Sequence, residues 1–295
     1  MVLTRIIDKN GELVGFVKIT QDQTEKKKYQ DQLNSRIEEI KNINLKLDQL
    51  NNELLRSNSS LEEFAYASSH DLQAPLRKID FYAERLRKDL ALQLNEEHLE
   101  CFRRIENSTT RMSKLIADLL TFSQITRGAG TIAELDLNKE LEMALEDLEV
   151  EVSRKKAHIV VHQLPRFMGN SRQFQQFFQN LISNAIKYTK PDVAPEIEVL
   201  ADTVIGREAK ANLPIEEADR MFYLIQIQDN GIGFDQEYAE DIFTVFTRLH
   251  QQADYSGTGI GLSIVQKVVK NHKGHIWAQS KPGVGACFKV LLPVE

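Results

Sequence analysis

Between Leu33 and Leu61 one apolar column returns every seven residues, through Leu33, Ile40, Leu47, Leu54 and Leu61. A heptad of this kind keeps a narrow stripe of helix in line only where another helix supplies the facing stripe. The segment therefore reads as a coiled-coil seam that needs two or more helices. The second column admits two frames. One runs through Ile37, Asn44, Asn51, Asn58 and Ala65, the other through Ile43, Leu50, Ser57 and Phe64. Asparagine at a seam position specifies register at a cost in stability, whereas a solvated asparagine specifies nothing. Both readings of the asparagines are open.

The seam sits inside a longer helical pattern from Thr24 to about Lys88, followed by a turn region at 90–98. A second helix is expected from about Glu96 to Ile125, with Leu99, Phe102, Ile105, Met112, Leu115, Leu119 and Phe122 at spacings of three and four. Two antiparallel helices with apolar stripes, in a chain that pairs through its stalk, predict a four-helix bundle. "TRGAGT" at 126–131 is the break between domains. From Asp136 onward the texture alternates: a helix near 138–156, the strand "HIVVHQL", a helix at 171–189, strands near 195–203 and 221–229, and a helix at about 259–272. Strands "HIWAQS" and "ACFKVLLP" close the chain. The predicted fold is α+β: a helical hairpin forming a dimeric four-helix bundle on a coiled-coil stalk, then an α/β sandwich.

Residues 3–19 read as two short strands around Lys9-Asn10-Gly11. Two strands alone are barely stable in water, so this hairpin is either a decoration or the tail of a larger domain. The totals narrow the function. A chain of 295 residues predicts two domains of about 150 each. A net charge of −6 argues against a general nucleic-acid binder. Cys101 and Cys287 lie far apart without metal-ligand spacing, which favours a reducing, cytoplasmic setting over a disulfide framework. No run approaches the ~20 apolar residues that span a bilayer, and "MVLTRIIDKNGELVG" has no signal-peptide core.

Five stretches carry chemistry. "SSHDLQAPL" (68–76) places His70 and Asp71 on a wet helix face and Pro75 five residues later. Alone, such a histidine is usually a surface residue and such a proline a kink. "QNLISNAIKYT" (179–189) puts Asn180, Asn184 and Lys187 on one side of a helix, with Leu181, Ala185 and Tyr188 on another. Amide oxygens suit Mg²⁺ and an ammonium suits phosphate. "QDNGIGF" (228–234) ends a strand in Asp229, an acceptor for a donor such as an exocyclic amine, beside glycines that allow close approach of backbone to a ligand. "IFTVFTRLH" (242–250) combines two aromatics with Arg248 and could be plain core packing. "GTGIGLSIVQKVV" (257–269) is a glycine-rich turn opening a helix, where free amides suit an anion. It has neither the Walker nor the dinucleotide-fingerprint form.

In this order the last four resemble the N, G1, F and G2 boxes of the GHKL-type ATPase fold of sensor histidine kinases, and "SSHDLQAPL" resembles that family's H box. The resemblance covers residues 24–295. "GELVGFVKITQDQTEKKK" is similar to the closing strands of a PAS sensor domain and the linker after them. The implied division is a PAS-like remnant (1–22), a coiled-coil signalling helix (23–62), a dimerisation and histidine phosphotransfer domain (63–127) and an ATP-binding domain (133–295).

The resemblance implies that His70 is the phosphoacceptor and Asp71 its general base or orienting acid. Asn184 would ligate Mg²⁺ with Asn180 assisting, and Lys187 would contact phosphate. Tyr188 would pack beside the adenine, Asp229 would accept its amino group, and Gly231 and Gly233 would shape its pocket. Gly257, Gly259 and Gly261 would border a mobile lid and cradle phosphates, with Thr258 and Leu262 among the ATP-binding residues. Arg248, in the lid, would meet the γ-phosphate. The implied cofactors are ATP and Mg²⁺. The implied partners are a second copy of the chain, a separate response-regulator receiver domain and an upstream PAS-like sensor. The two heptad frames, which share one leucine column, offer the helix pair two packings between which such a sensor is expected to switch. A nucleotide-binding pseudokinase acting as a dimeric scaffold is the alternative, and a chaperone or mismatch-repair ATPase a third reading.

Three positions depart from the family pattern. Ala74 stands where kinases that also dephosphorylate their partner carry Thr or Asn. Ala286-Cys287 stand where Ser or Thr is favoured, and residues 204–220 make a longer charged loop than the pattern needs.

Overall fold

The computed structural model describes residues 2–19, 24–90, 95–126, 131–209, 213–249 and 257–294. Some side chains within helices, those of 58–68 and His70 among them, lie outside that description. The chain divides into two units, Met1–Ser60 and Leu61–Glu295.

In the first unit, β1 (Val2–Ile7) and β2 (Leu13–Ile19) form an antiparallel hairpin. Its turn is tied by Asp8, whose Oδ1 accepts from the Asn10 and Glu12 amides at 2.9 and 2.8 Å. The long helix α1 (Thr24–Asp89) begins here. The heptad residues Leu33, Ile40 and Leu47 are exposed, as are Ile37, Ile43 and Leu50 of the two alternative frames. The side chains of Leu54, Asn58, Leu61, Phe64 and Ala65 lie outside the described set.

In the second unit α1 continues through Pro75 without a break in its assignment. The next helix, α2 (Glu96–Thr126), starts on a capped turn, with the His98 amide donating to Asn95 Oδ1 at 2.8 Å and two glutamates in the first turn. The hairpin closes through the Thr109 hydroxyl, which donates to Asp80, and through an Arg87–Glu106 ion pair at 3.1 Å. Leu76, Ala83 and Ile116 are buried. Leu72, Ile79 and Leu86, each seven residues on, remain exposed on α1, and Ile105 and Met112 remain exposed on α2.

The remainder is a helical layer on a mixed sheet. A two-stranded ladder pairs β3 (Ala133–Asp136) with β5 (Arg166–Gly169). Between these strands lie α3 (Leu137–Asp147), α4 (Glu149–Lys155) and β4 (His158–Val161). Then come α5 (Ser171–Lys187), β6 (Glu196–Ile205), β7 (Met221–Asp229), α6 (Gly261–Asn271), β8 (His275–Lys281) and β9 (Gly285–Pro293). The five-stranded sheet has the order β4-β6-β7-β9-β8, with β4 parallel to β6 and the other pairs antiparallel. Alternate residues Ile197 and Val199, Ile225 and Ile227, and Phe288 and Val290 point into one core. Phe174, Phe177, Phe178, Leu181 and Ile182 of α5 cover them at helical spacing.

Two expectations are corrected. The single helix expected at 138–156 is two helices joined at Leu148, whose φ and ψ of −99° and 5° leave the helical region and whose amide bonds back to the Leu145 carbonyl. Leu148 is buried, so the break lets it enter the core. Strands β3 and β5, four residues each, were not expected; segments this short carry too little alternation to be read locally. The 204–220 segment has a structural explanation: Ala209 is buried with Phe222 and Leu291, and Leu213 and Trp277 pack on that small cluster. Among the described residues no helix is long and apolar enough to cross a membrane.

Candidate functional site

The candidate site lies where the carboxyl ends of α5 and β7 meet the amino end of α6. Asn180, Asn184 and Lys187 follow one another along α5 at spacings of four and three, all half-buried, while Leu181, Ile182 and Ala185 fill the core behind them. Asn180 donates through Nδ2 to the Gln176 carbonyl at 2.8 Å. Its Oδ1 stands against Gly261, where any Cβ would sit 2.7 Å from that oxygen.

Lys187 donates to the Tyr188 hydroxyl at 2.9 Å and lies 4.2 Å from the centre of its ring. This revises the placement of Tyr188 on a different face. As the C-cap residue of α5, with ψ of 34°, it leaves the helical progression and joins Lys187 in the site. Burial, then the charges of Arg248 and Lys114, push the Lys187 pKa down to about 8. Its ammonium rests on Gly257, where a Cβ would approach Nζ to 2.4 Å.

Asp229 ends β7. Its Oδ1 accepts from the Gly231 amide at 2.9 Å and the Ala286 amide at 3.1 Å. Burial raises its pKa against the opposing effect of these two amides. Both amides use the same oxygen, which leaves Oδ2 to accept from a ligand. The following loop is pinned by the Ile232 amide to the Tyr188 carbonyl at 2.8 Å and by the Ile232 carbonyl to the Gly283 amide at 2.7 Å. Gly233 in that loop has φ of +62° and lies so close to the Lys281 carbonyl that no side chain fits.

Two adjoining cavities result. The first is mainly apolar, lined by Ala185, Ile232, Phe234, Ile242 and Phe288, with Asp229, Gly233 and Arg248 among its polar or backbone features. The second is polar, lined by Asn180, Lys187, Gly257, Thr258, Gly259 and Gly261. Asn184, Tyr188 and Leu262 border both. The first turn of α6 has no side-chain cap, so its amides and the helix dipole favour an anion there. The joined shape suits a ligand with a flat, amine-bearing apolar end and an anionic end.

Most of the residues singled out from the sequence thus converge. Gly231 lines neither cavity and acts through its bond to Asp229. Asp71 is exposed on α1 and lines neither cavity. His70 belongs to α1, with its side chain outside the described set, and the lid expected beyond Arg248 falls largely on residues 250–256, also outside it. The two aromatics beside Arg248 separate: Phe243 is buried and packs on Phe288, whereas Phe246 is exposed at φ of +67°. Several lining residues were not read as site residues from the sequence, Phe288, Ile242, Lys114 and Asp118 among them. Phe288 and Ile242 look like ordinary core there, and Lys114 and Asp118 of α2 look like a solvated face.

Among the described residues no three His, Cys, Asp or Glu side chains group as metal ligands. Asn180 and Asn184 line the polar cavity, and their amide oxygens are neutral donors there that could hold a cation. That set fits Mg²⁺, which keeps several waters and takes its other ligands from phosphates.

Fold and cavities define a helical layer on a mixed sheet with an apolar pocket joined to a polar one, preceded in the chain by a helical hairpin. Residues 169–295 match the family of histidine kinase-, DNA gyrase B- and HSP90-like ATPases, and residues 60–128 match the His Kinase A (phospho-acceptor) domain. Cyanobacterial phytochrome A of Nostoc sp. (strain PCC 7120) is 36% identical over 248 residues, covering 84% of this chain and 30% of that protein. Phytochrome-like protein Cph1 of Synechocystis sp. (strain PCC 6803) is 34% identical over 248 residues, covering 84% of this chain and 31% of its own length. The full-length ShkA structure in complex with AMPPNP shares the fold, with a TM-score of 0.56 at 22% identity over 78% of this chain and 45% of that one. The chain belongs to the sensor histidine kinases. It spans less than a third of the length of the two curated relatives named here.

Proposed function

We propose that the chain is the kinase core of a two-component sensor, which transfers the γ-phosphoryl group of ATP to His70 and passes it to an aspartate of a separate receiver domain. The observation that carries this reading is the pair of joined cavities, with the Asp229 carboxylate in one and Asn184, Lys187 and the Gly257–Gly261 turn around the other. Asp229 Oδ2 accepts the adenine amino group, and Tyr188, Ile232 and Phe288 pack around the ring. Lys187, Thr258 and the amides of the turn hold the phosphates, and Arg248 meets the γ-phosphate. Asn184, with Asn180, would hold Mg²⁺, which would supply neutralisation of phosphate charge.

A neutral imidazole, with an ordinary pKa of about 6.5, is a competent nucleophile near neutral pH. Its nitrogen forms a bond to phosphorus as the bond to the leaving ADP oxygen breaks, and the protein supplies positioning and charge neutralisation. Asp71 orients the ring or receives its proton. The proposed division is a PAS-like remnant at 1–22, signalling helix at 23–62, phosphotransfer hairpin at 63–127 and ATP-binding domain at 133–295. The exposed stripe of Leu72, Ile79 and Leu86 supports a homodimer, since it needs a facing helix. It continues the heptad frame of Ile37 and Asn44 in register, whereas the alternative frame through Ile43 reaches Asp71, Lys78 and Arg85. Incubation of the full chain with γ-labelled ATP tests the proposal. Acid-labile, alkali-stable label on the protein supports it, and absence of label on a protein that binds ATP leaves the scaffold reading.

Lys187 makes nucleotide binding depend on pH. Without ligand its ammonium loses its proton as pH rises through about 8. A bound polyanion favours the charged form, so binding above that pH takes up a proton and affinity falls as pH rises from about 7 to 9. Calorimetry in buffers of different ionisation enthalpy measures that uptake, and Lys187→Met should abolish it.

Ala74, exposed on α1, offers neither hydroxyl nor amide to orient a water for attack on a phosphorylated receiver. Wild-type protein is therefore expected to dephosphorylate its partner slowly. Ala74→Thr should raise phosphate release by about ten-fold or more, within the range for a positioned polar group.

A further inference from the structure

Two side chains of the phosphoacceptor hairpin border the polar cavity of the ATPase domain. Lys114 and Asp118 stand one turn apart on α2 and line the chamber that also contains Asn180, Lys187 and the Gly257–Gly261 turn. The Thr258 hydroxyl, itself buried, donates a hydrogen bond to the Asp118 carboxylate. The contact is part of a docked surface. Leu115, Leu119 and Phe122 pack against the ATPase core, and Ile125 is buried within it. Asn271 at the end of α6 donates to the Ile125 carbonyl at 2.8 Å. Asp118 thus engages the turn before α6 while Ile125 is held at the other end of that helix.

This arrangement puts a carboxylate beside the groups that would hold phosphate. The Thr258 hydroxyl and the uncapped amides of α6 attract an anion, and here the neighbouring anion is Asp118. A triphosphate entering the chamber meets a like charge in a half-buried place, where solvent screening is weak. Adenosine, which has no phosphate, meets none.

We propose that Asp118 is an internal anion competing with nucleotide triphosphate for the Thr258 turn, so that triphosphate binding and docking of α2 on the ATPase domain weaken each other. The proposal rests on the reading of the two cavities as an ATP site. Linkage makes the effect reciprocal: whatever factor docking takes from triphosphate affinity, bound triphosphate takes from docking. A loaded ATPase domain is thereby loosened from α2, and Lys114 remains to attract the phosphates.

Calorimetry on the full chain tests this, with a non-hydrolysable ATP analogue plus magnesium and, separately, adenosine. Asp118→Asn keeps the side-chain shape and removes the charge. It should tighten analogue binding by about three- to ten-fold, at the low end of typical coupling factors, and leave adenosine affinity unchanged. Asn271→Ala loosens the far end of the docked surface without touching either cavity, and should tighten analogue binding in the same direction. Unchanged or weaker analogue binding by Asp118→Asn, or an equal gain for adenosine, overturns the proposal. If Asp118→Asn does not fold, Asn271→Ala decides, and no gain there overturns it. A wild-type chain that binds neither probe removes the ATP-site reading itself, which is a different result from normal binding that Asp118→Asn fails to alter.

Discussion

His70→Gln should abolish phosphate uptake from ATP while leaving nucleotide affinity unchanged. Glutamine fills similar space and stays compatible with a helix, but its amide nitrogen is not nucleophilic, so no phosphoramidate can form. The expected loss of label exceeds about a thousand-fold, because the positioned nucleophile is removed and nothing replaces it. Unchanged ATP affinity is the necessary control, since His70 lies on α1, apart in sequence from every residue assigned to nucleotide. Label that persists in His70→Gln would place the acceptor elsewhere and end the proposed route to the receiver.

Asp229→Asn should reduce ATP affinity by about ten- to a hundred-fold, the cost of losing a hydrogen bond to a charged group and leaving a buried donor unpaired. Asparagine can still accept the Gly231 and Ala286 amides through its oxygen, which keeps the loop in place. Its remaining group is then an NH₂ facing the adenine amine, donor against donor. The thermal midpoint should therefore stay near that of the wild type while binding is lost. Asp229→Ala should lose both, because the two amides are then orphaned as well. Mixing His70→Gln with Asp229→Asn under conditions that allow subunit exchange adds a test of the dimer. Recovery of label requires that one protomer's ATPase domain serve its partner's His70, and no recovery indicates transfer within a protomer.

The legible parts of this molecule are those whose cause is local. The spacing of Leu181 and Ala185 against Asn180, Asn184 and Lys187 announces the two sides of α5, and the structure buries Leu181 and Ala185. The glycine-rich stretches mark where backbone must approach something closely, and Gly233 and Gly259 are both packed that tightly against neighbouring backbone. Less legible is Tyr188. Helical spacing assigns it to the core side of α5, but the helix ends at Lys187 and turns it toward the site. Leu148 gives the same lesson, since continuous helical propensity hides a break imposed by the core.

The long helix α1, the helix α5, the strand ending in Asp229 and the glycine-rich turn that opens α6 follow from the sequence alone, because periodicity and turn chemistry act over a few residues. Strand order, the β3–β5 ladder and the meeting of Asp118 with Thr258 were decided only by the tertiary structure. Asp118 and Thr258 are 140 positions apart. No local pattern encodes such a pair: it exists because Leu115, Leu119, Phe122 and Ile125 find apolar cover on the ATPase core and bring α2 with them.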